Sequence, residues 1–197
     1  MEENIQNIVF DVGNVLIDFC WKEACERLHF SEDVIERLAT GMVLTNVWDQ
    51  LDEGTIELED AIHIFISRMP DLEQEIRLFW EHADDIVKEY DYAKPMIEKW
   101  KEKGKKVYLL SNYPLEMYRL HWKRFHFFPY VDGYIVSAVE KIRKPDIRIY
   151  QLLCERYQLN PSECFFFDDR QENVDAAIHA GMKAELFTGY ETVAKYL

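Results

Sequence analysis

An alternation constrains this chain more than any other feature. Five short runs rich in branched and aromatic residues, at 8–11, 106–111, 133–137, 164–168 and 184–187, read as strands, and segments with helical spacing separate them. The first, second and fourth runs are nearly continuous in apolar residues, as in strands covered by helices on both faces. Residues 94–103 place Met96, Ile97 and Trp100 at helical spacing and stop before Gly104, a suitable residue just past a helix end. Pro145 and Asp146 open another helix, with proline at its first position and Ile147, Tyr150, Leu153 and Tyr157 as the inward stripe. A third, over 171–180, turns Val174, Ala177 and Ile178 inward and has Gly181 past its end. Strands and helices in this order predict an α/β fold around a parallel sheet with right-handed crossovers.

One stretch breaks the alternation. Residues 19–92 carry only helical patterns, over 21–28, 31–38, 41–51, 58–69 and 72–88. Ser31, followed by Glu32 and Asp33, has the character of a helix N-cap with an acidic first turn. An all-helical stretch placed after the first strand reads as an insertion, which divides the chain into a core, 1–18 with 93–197, and a helical cap, 19–92. The aromatics Trp21, Trp48, Phe79 and Trp80 are expected to pack the cap helices together.

A chain of 197 residues, 48% of them apolar, folds without disulfides or structural zinc. The cysteines, Cys20, Cys25, Cys154 and Cys164, lack C-x-x-C spacing and sit among apolar residues, so they are expected as reduced core residues. Lys and Arg number 23 against 37 Asp and Glu, a net charge of −14 that argues against nucleic acid or an anionic membrane as the main partner. No apolar run reaches membrane-span length, and the acidic N-terminus is unlike a signal peptide. A soluble, cytoplasmic protein is expected.

Parallel α/β sheets place their ligands at the carboxyl ends of the strands. Three of the strands end in polar residues that would converge there: Asp11, Ser111 with Asn112, and Asp168 with Asp169. Arg143, Lys144 and Pro145 precede a helix on the same side. Adjacent carboxylates near a third repel one another, and a buried cluster of that kind calls for a cation. Oxygen ligands alone suit Mg²⁺.

These residues form four motifs, in order: FDVGNVL at 10–16, LLSN at 109–112, RKPD at 143–146 and FFDDRQEN at 166–173. In them the chain resembles the haloacid dehalogenase superfamily, and within it the cap-bearing bacterial sugar-phosphate phosphatases of the α-D-glucose-1-phosphate phosphatase kind. The resemblance implies a Rossmann-like, three-layer parallel-sheet core with an inserted helical cap. It implies a Mg²⁺-dependent phosphatase acting on a small phosphate ester through an aspartyl-phosphate. Asp11 would be the nucleophile and Lys144 would offset charge. Ser111 and the Asn112 backbone amide would bind the phosphoryl group. Asp11, the Gly13 carbonyl and Asp169 would hold the metal, with Asp168 acting through a metal-bound water. One position departs from the pattern: Gly13 stands where most such phosphatases carry the aspartate that serves as general acid and base. That absence makes a sugar 1-phosphate, whose anomeric leaving group needs less help, an attractive substrate, and makes Asp18 a candidate substitute acid. It also leaves open a binding or regulatory protein on the same scaffold. A 2-haloacid dehalogenase, which needs no metal, leaves the Asp168–Asp169 pair without a use.

Overall fold

The apolar runs at 8–10, 106–111, 133–136 and 164–168 leave no polar side to face water, and each becomes a strand of a buried sheet. The computed structural model describes residues 4–197. Its main sheet consists of β1 (Asn7–Phe10), β4 (Lys106–Ser111), β5 (Gly133–Val136), β6 (Cys164–Asp168) and β7 (Lys183–Leu186), all parallel, in the order β5-β4-β1-β6-β7. Side chains alternate across the sheet. Phe10, Leu109, Phe165 and Phe167 enter one apolar cluster, while Val9, Tyr108, Leu110 and Phe166 enter the other. On the first face lies α6 (Ala93–Glu102), with Met96, Ile97 and Trp100 fully buried. On the second lie α9 (Ile147–Tyr157) and α10 (Gln171–His179). This is the parallel α/β sheet that the alternation predicts, and with helices on both faces it is the three-layer, Rossmann-like core that the resemblance implies.

Two helix readings in the core need correction. Pro145 does not open α9. Asp146 is the N-cap, its carboxylate accepting from the Arg148 N–H at 2.9 Å, so the helix starts at Ile147 and leaves that side chain 39% exposed. In α10 the inward stripe is Asn173, Val174 and Ala177, which turns Ile178 out to 52% exposure. Gly104 and Gly181 do take the left-handed conformation past their helices.

Between β2 (Ile17–Asp18) and β3 (Lys88–Glu89), a two-residue antiparallel pair, the chain makes only helices and turns. These are α1 (Trp21–Arg27), α2 (Glu32–Leu38), α3 (Asn46–Glu53), α4 (Leu58–Arg68) and α5 (Glu73–Glu81). The Ser31 hydroxyl caps α2 as expected, at 3.4 Å from the Val34 nitrogen. The helix expected over 41–51 is instead a π turn at Ala39–Val43 followed by α3. The helix expected over 72–88 ends at Glu81, before a 3₁₀ turn at Ala83–Asp85 and β3. Trp48 stacks on Trp80 with ring centroids 5.4 Å apart and meets Phe79 edge-on, so these aromatics do pack the helices together. All four cysteines are buried and free. Among the described residues no helix is long and apolar enough to cross a membrane.

The end of α3 is locked onto α8 (Ser137–Glu140). Gly54 closes α3 with φ +70°, and a Cβ there would lie 2.2 Å from the Ala138 carbonyl oxygen. Gly54→Ala is therefore expected to destabilise the fold by about 1–3 kcal/mol, measured by urea unfolding. Unchanged stability would show that α3 does not depend on this contact.

Candidate active site

The sheet order places β1 at the switch point. From β1 the chain runs outward through β4 and β5 on one side and through β6 and β7 on the other. A crevice opens at the carboxyl ends of such strands. A cavity of about 510 Å³ lies there, lined from β1 by Asp11 and Gly13, from the β4 end by Asn112, from the β6 end by Asp169, and from α3 by Trp48, Asp49 and Asp52.

Lys144 is the hinge of the site. It is 1% exposed, and its Nζ lies 2.8 Å from Asp11 Oδ1 and 2.6 Å from Asp168 Oδ2. Its backbone is fixed by Asn112, whose Oδ1 accepts from the Lys144 N–H at 2.8 Å and whose Nδ2 donates to the Lys144 carbonyl at 3.0 Å. Asp168 is fully enclosed. Besides Lys144 it receives Asn173 Nδ2 and the Arg170 N–H, both at 2.9 Å. Asp169 is more open and accepts from Asn14 Nδ2 at 3.0 Å. Asn14 itself sits at φ +57°, a conformation asparagine tolerates better than most residues.

Three carboxylates against one ammonium leave two formal negative charges in a largely buried site. Burial raises the Asp11 carboxyl well above the usual range, against the pull of Lys144, and Asp168 and Asp169 add repulsion. Asp169 is raised by burial too. Burial would lower Lys144, but its ion pairs with Asp11 and Asp168 more than offset this and hold it above its ordinary value. The carboxylates of Asp11, Asp168 and Asp169 offer oxygens within 4.8 Å of one another. Asp11 Oδ2, Asp169 Oδ1 and the Gly13 carbonyl accept no hydrogen bond from the described residues. A charge deficit, convergent oxygens and open lone pairs together fit a hard divalent cation such as Mg²⁺.

The structure thus brings together Asp11, Gly13, Asn112, Lys144 and Asp169 at the cavity, with Asp168 directly behind Lys144. Ser111 is fully buried behind the wall, and its hydroxyl donates only a long 3.4 Å bond to the Asn112 carbonyl. Asp18 does not line the cavity, although Ile17 and Phe19 on either side of it do. Sequence reasoning missed Asp49 and Asp52, and gave no role to Asn14, Arg143, Arg170 and Asn173, although these stand in its motifs. Asn173 had a signal, its place five residues after Asp168 in the fourth motif, but at a helix start it reads as an ordinary first-turn residue. Arg143 binds Asp49 of α3 at 3.2 Å, a contact that no local pattern announces.

The fold and site define a hydrolase of the α/β class with an aspartate just past the carboxyl end of its first strand. The haloacid dehalogenase-like hydrolase model matches residues 5–181, and the chain belongs to that family. A Mycobacterium tuberculosis phosphatase is 30% identical, over 93% of this chain and 87% of its own. A sesquiterpene phosphatase of Aspergillus oryzae is 26% identical over 88% of this chain and 85% of its own, and a phosphorylated carbohydrates phosphatase of Thermotoga maritima 27% over 91% and 83%. A haloacid dehalogenase family enzyme from Bacteroides thetaiotaomicron, solved in complex with magnesium and inorganic phosphate, superposes with a TM-score of 0.71 at 23% identity, covering 92% of this chain and 93% of that one.

Proposed function

We propose that this protein is a cytoplasmic, Mg²⁺-dependent phosphatase that hydrolyses a small phosphorylated metabolite, a sugar phosphate, through an aspartyl-phosphate on Asp11. The observation that carries the reading is the Asp11 carboxylate, open to the cavity on one oxygen and held on the other by Lys144, beside the Asp168–Asp169 pair. Free buried cysteines accord with a reducing compartment. The cavity volume suits a small metabolite. Asp49, Asp52, Thr45 and Asn46 give its wall the polar character that sugar hydroxyls need. Residues 19–92 serve as a cap over the core formed by 1–18 and 93–197.

In this reading one Asp11 carboxylate oxygen attacks phosphorus while Lys144 offsets charge on Asp11 and the phosphoryl oxygens. The Asn112 N–H binds those oxygens, and the Ser111 hydroxyl joins it from behind the wall by giving up its long 3.4 Å bond to the Asn112 carbonyl. Asp11, the Gly13 carbonyl and Asp169 would hold the metal directly, and Asp168, with both oxygens engaged, through a water. The ion would neutralise the phosphate charge that a chain of this acidity otherwise repels. Hydrolysis of an aryl phosphate with and without Mg²⁺ tests the reading: turnover that needs the metal supports it, and metal-dependent phosphate binding without turnover replaces it with a regulatory role.

The two neighbouring aspartates are expected to separate cleanly. Asp169→Ala should weaken Mg²⁺ binding at least ~10-fold more than Asp168→Ala does, read by calorimetric titration. Asp168→Ala should lower thermal stability more, because it strips Lys144 and Asn173 of a buried partner. Equal Mg²⁺ affinities, or a larger loss for Asp168→Ala, would reverse the assignment.

A further inference from the structure

Cleavage of a phosphate ester leaves an oxygen that departs as an alkoxide unless a proton meets it. Gly13, two residues past the nucleophile, has no proton to give, and Asp18 is not in the cavity wall. Four carboxylates line the cavity: Asp11, Asp49, Asp52 and Asp169. Three of them are engaged, Asp11 by Lys144, Asp169 by Asn14 and Asp49 by Arg143. The Asp52 carboxylate makes no hydrogen bond or ion pair with any described residue. It enters the cavity from α3, whereas Asp11 enters from the end of β1. In-line displacement puts the leaving group on the side of phosphorus away from the attacking oxygen, toward the walls that the helical segment supplies.

The position of Asp52 is held by the core. The Ser137 hydroxyl donates to the Asp52 carbonyl and itself accepts from the Tyr113 N–H at 2.9 Å, so the loop after Ser111 and Asn112 is tied to this turn of α3. Two residues on, the backbone of Gly54 rests on Ala138.

Resting on the phosphatase reading above, we propose that Asp52 is the general acid and base that replaces the missing carboxylate at position 13. In the first step an Asp11 oxygen–phosphorus bond forms, the phosphorus–oxygen bond to the leaving group breaks, and the Asp52 proton completes the alcohol. In the second, a water oxygen bonds to phosphorus, the Asp11–phosphorus bond breaks, and the water's proton goes to Asp52. Ester and water become alcohol and inorganic phosphate, and both aspartates return to their starting state.

Such a carboxyl must hold its proton near neutrality. Burial pushes Asp52 up to about 7; Arg143 pulls it down, Asp49 on the same helix raises it, and Arg170 and Lys144 pull it down further. Tyr113, itself raised mainly by burial, also faces it.

The test is kcat/KM, with Mg²⁺, across substituted phenyl phosphates plotted against leaving-group acidity. The wild type should give a shallow slope. Asp52→Asn should lose several-fold for 4-nitrophenyl phosphate and at least ~100-fold for the least acidic phenol, steepening the slope. The wild type is expected to decline above about pH 7 with poor leaving groups, and Asp52→Asn should remove that decline. Asp52→Glu should recover part of the loss. In the Asp52→Asn background, Gly13→Asp should make the slope shallow again, since a Cβ at Gly13 meets no atom within 4 Å and its φ is not left-handed. A uniform loss along the series would make Asp52 a substrate contact instead, and an unchanged slope would remove any role in proton transfer; either overturns the proposal while leaving the phosphatase reading intact. Absence of 4-nitrophenyl phosphate hydrolysis in the wild type, or its survival in Asp11→Asn, overturns both.

Discussion

Asp11→Asn is expected to fold normally and to lose phosphate-ester hydrolysis by about 10⁴-fold or more. The amide oxygen can still accept from the Val12 N–H and from Lys144, which now hold Asp11 Oδ1 at 2.7 and 2.8 Å, so the geometry of the turn is preserved. What disappears is the anionic oxygen that would bond to phosphorus. Stability should move the other way. The folded protein holds the Asp11 carboxyl above its unfolded value, so over that interval the native state binds more protons than the unfolded one and stability falls as pH rises. Asparagine removes that loss, and metal-free Asp11→Asn should be at least as stable as wild type at pH 8, with a smaller difference at pH 4. Steady-state kinetics and thermal unfolding at the two pH values check both halves. More than a tenth of wild-type kcat, with reversion to aspartate excluded by mass spectrometry, would remove Asp11 from the nucleophile's role.

The central strands were legible because burial on both faces demands continuous apolar residues, and few other structures tolerate a run such as 164–167. The polar residues closing those strands were legible for the same reason, since Asp11 and Asp168 interrupt apolar runs at one end only. The pairing of β2 with β3 was not, because two residues carry no periodicity and the partners, Ile17 with Glu89 and Asp18 with Lys88, lie far apart in sequence. The bend after Glu81 was hidden by helical spacing that continues past the point where tertiary contacts stop the helix. Asp52 illustrates the limit within the site. In the sequence it falls in a turn between two helical patterns, at 50–54, and only the fold brings it to the cavity that Asp11 also lines. Asp18 erred in the opposite direction: near Asp11 in sequence, it sits between two cavity-lining residues on an extended stretch, where alternation points it elsewhere.

Lys144→Met should give the largest combined effect on stability and activity. The ammonium is the cation between Asp11 and Asp168, both deeply buried, and methionine fills similar volume over the Phe166 ring without a charge. Removing one member of a buried ionic cluster leaves the others uncompensated, at a cost of about 3–5 kcal/mol. The cost should depend on pH in a definite sense. Without Lys144 the folded-state Asp11 carboxyl loses the charge that pulls it down and rises further, so the variant's stability falls as pH increases through and above the ordinary carboxylate range, and the gap to wild type is wider at pH 8 than at pH 5. Mg²⁺ should narrow the gap, because it answers the same excess of negative charge. It should not restore turnover, since the ammonium that offsets charge beside Asp11 would still be missing; kcat should stay at least ~100-fold down at saturating metal. Lys144→Arg is expected to recover little, because its branched, planar head must enter a site where the ammonium already has contacts of 2.8 and 2.6 Å. Urea unfolding at both pH values, with and without Mg²⁺, reads the electrostatic part, and single-turnover kinetics read the rest. A loss of stability below about 1 kcal/mol, or one that does not change with pH, would mean that water already solvates these carboxylates and that burial does not govern the charge of the site.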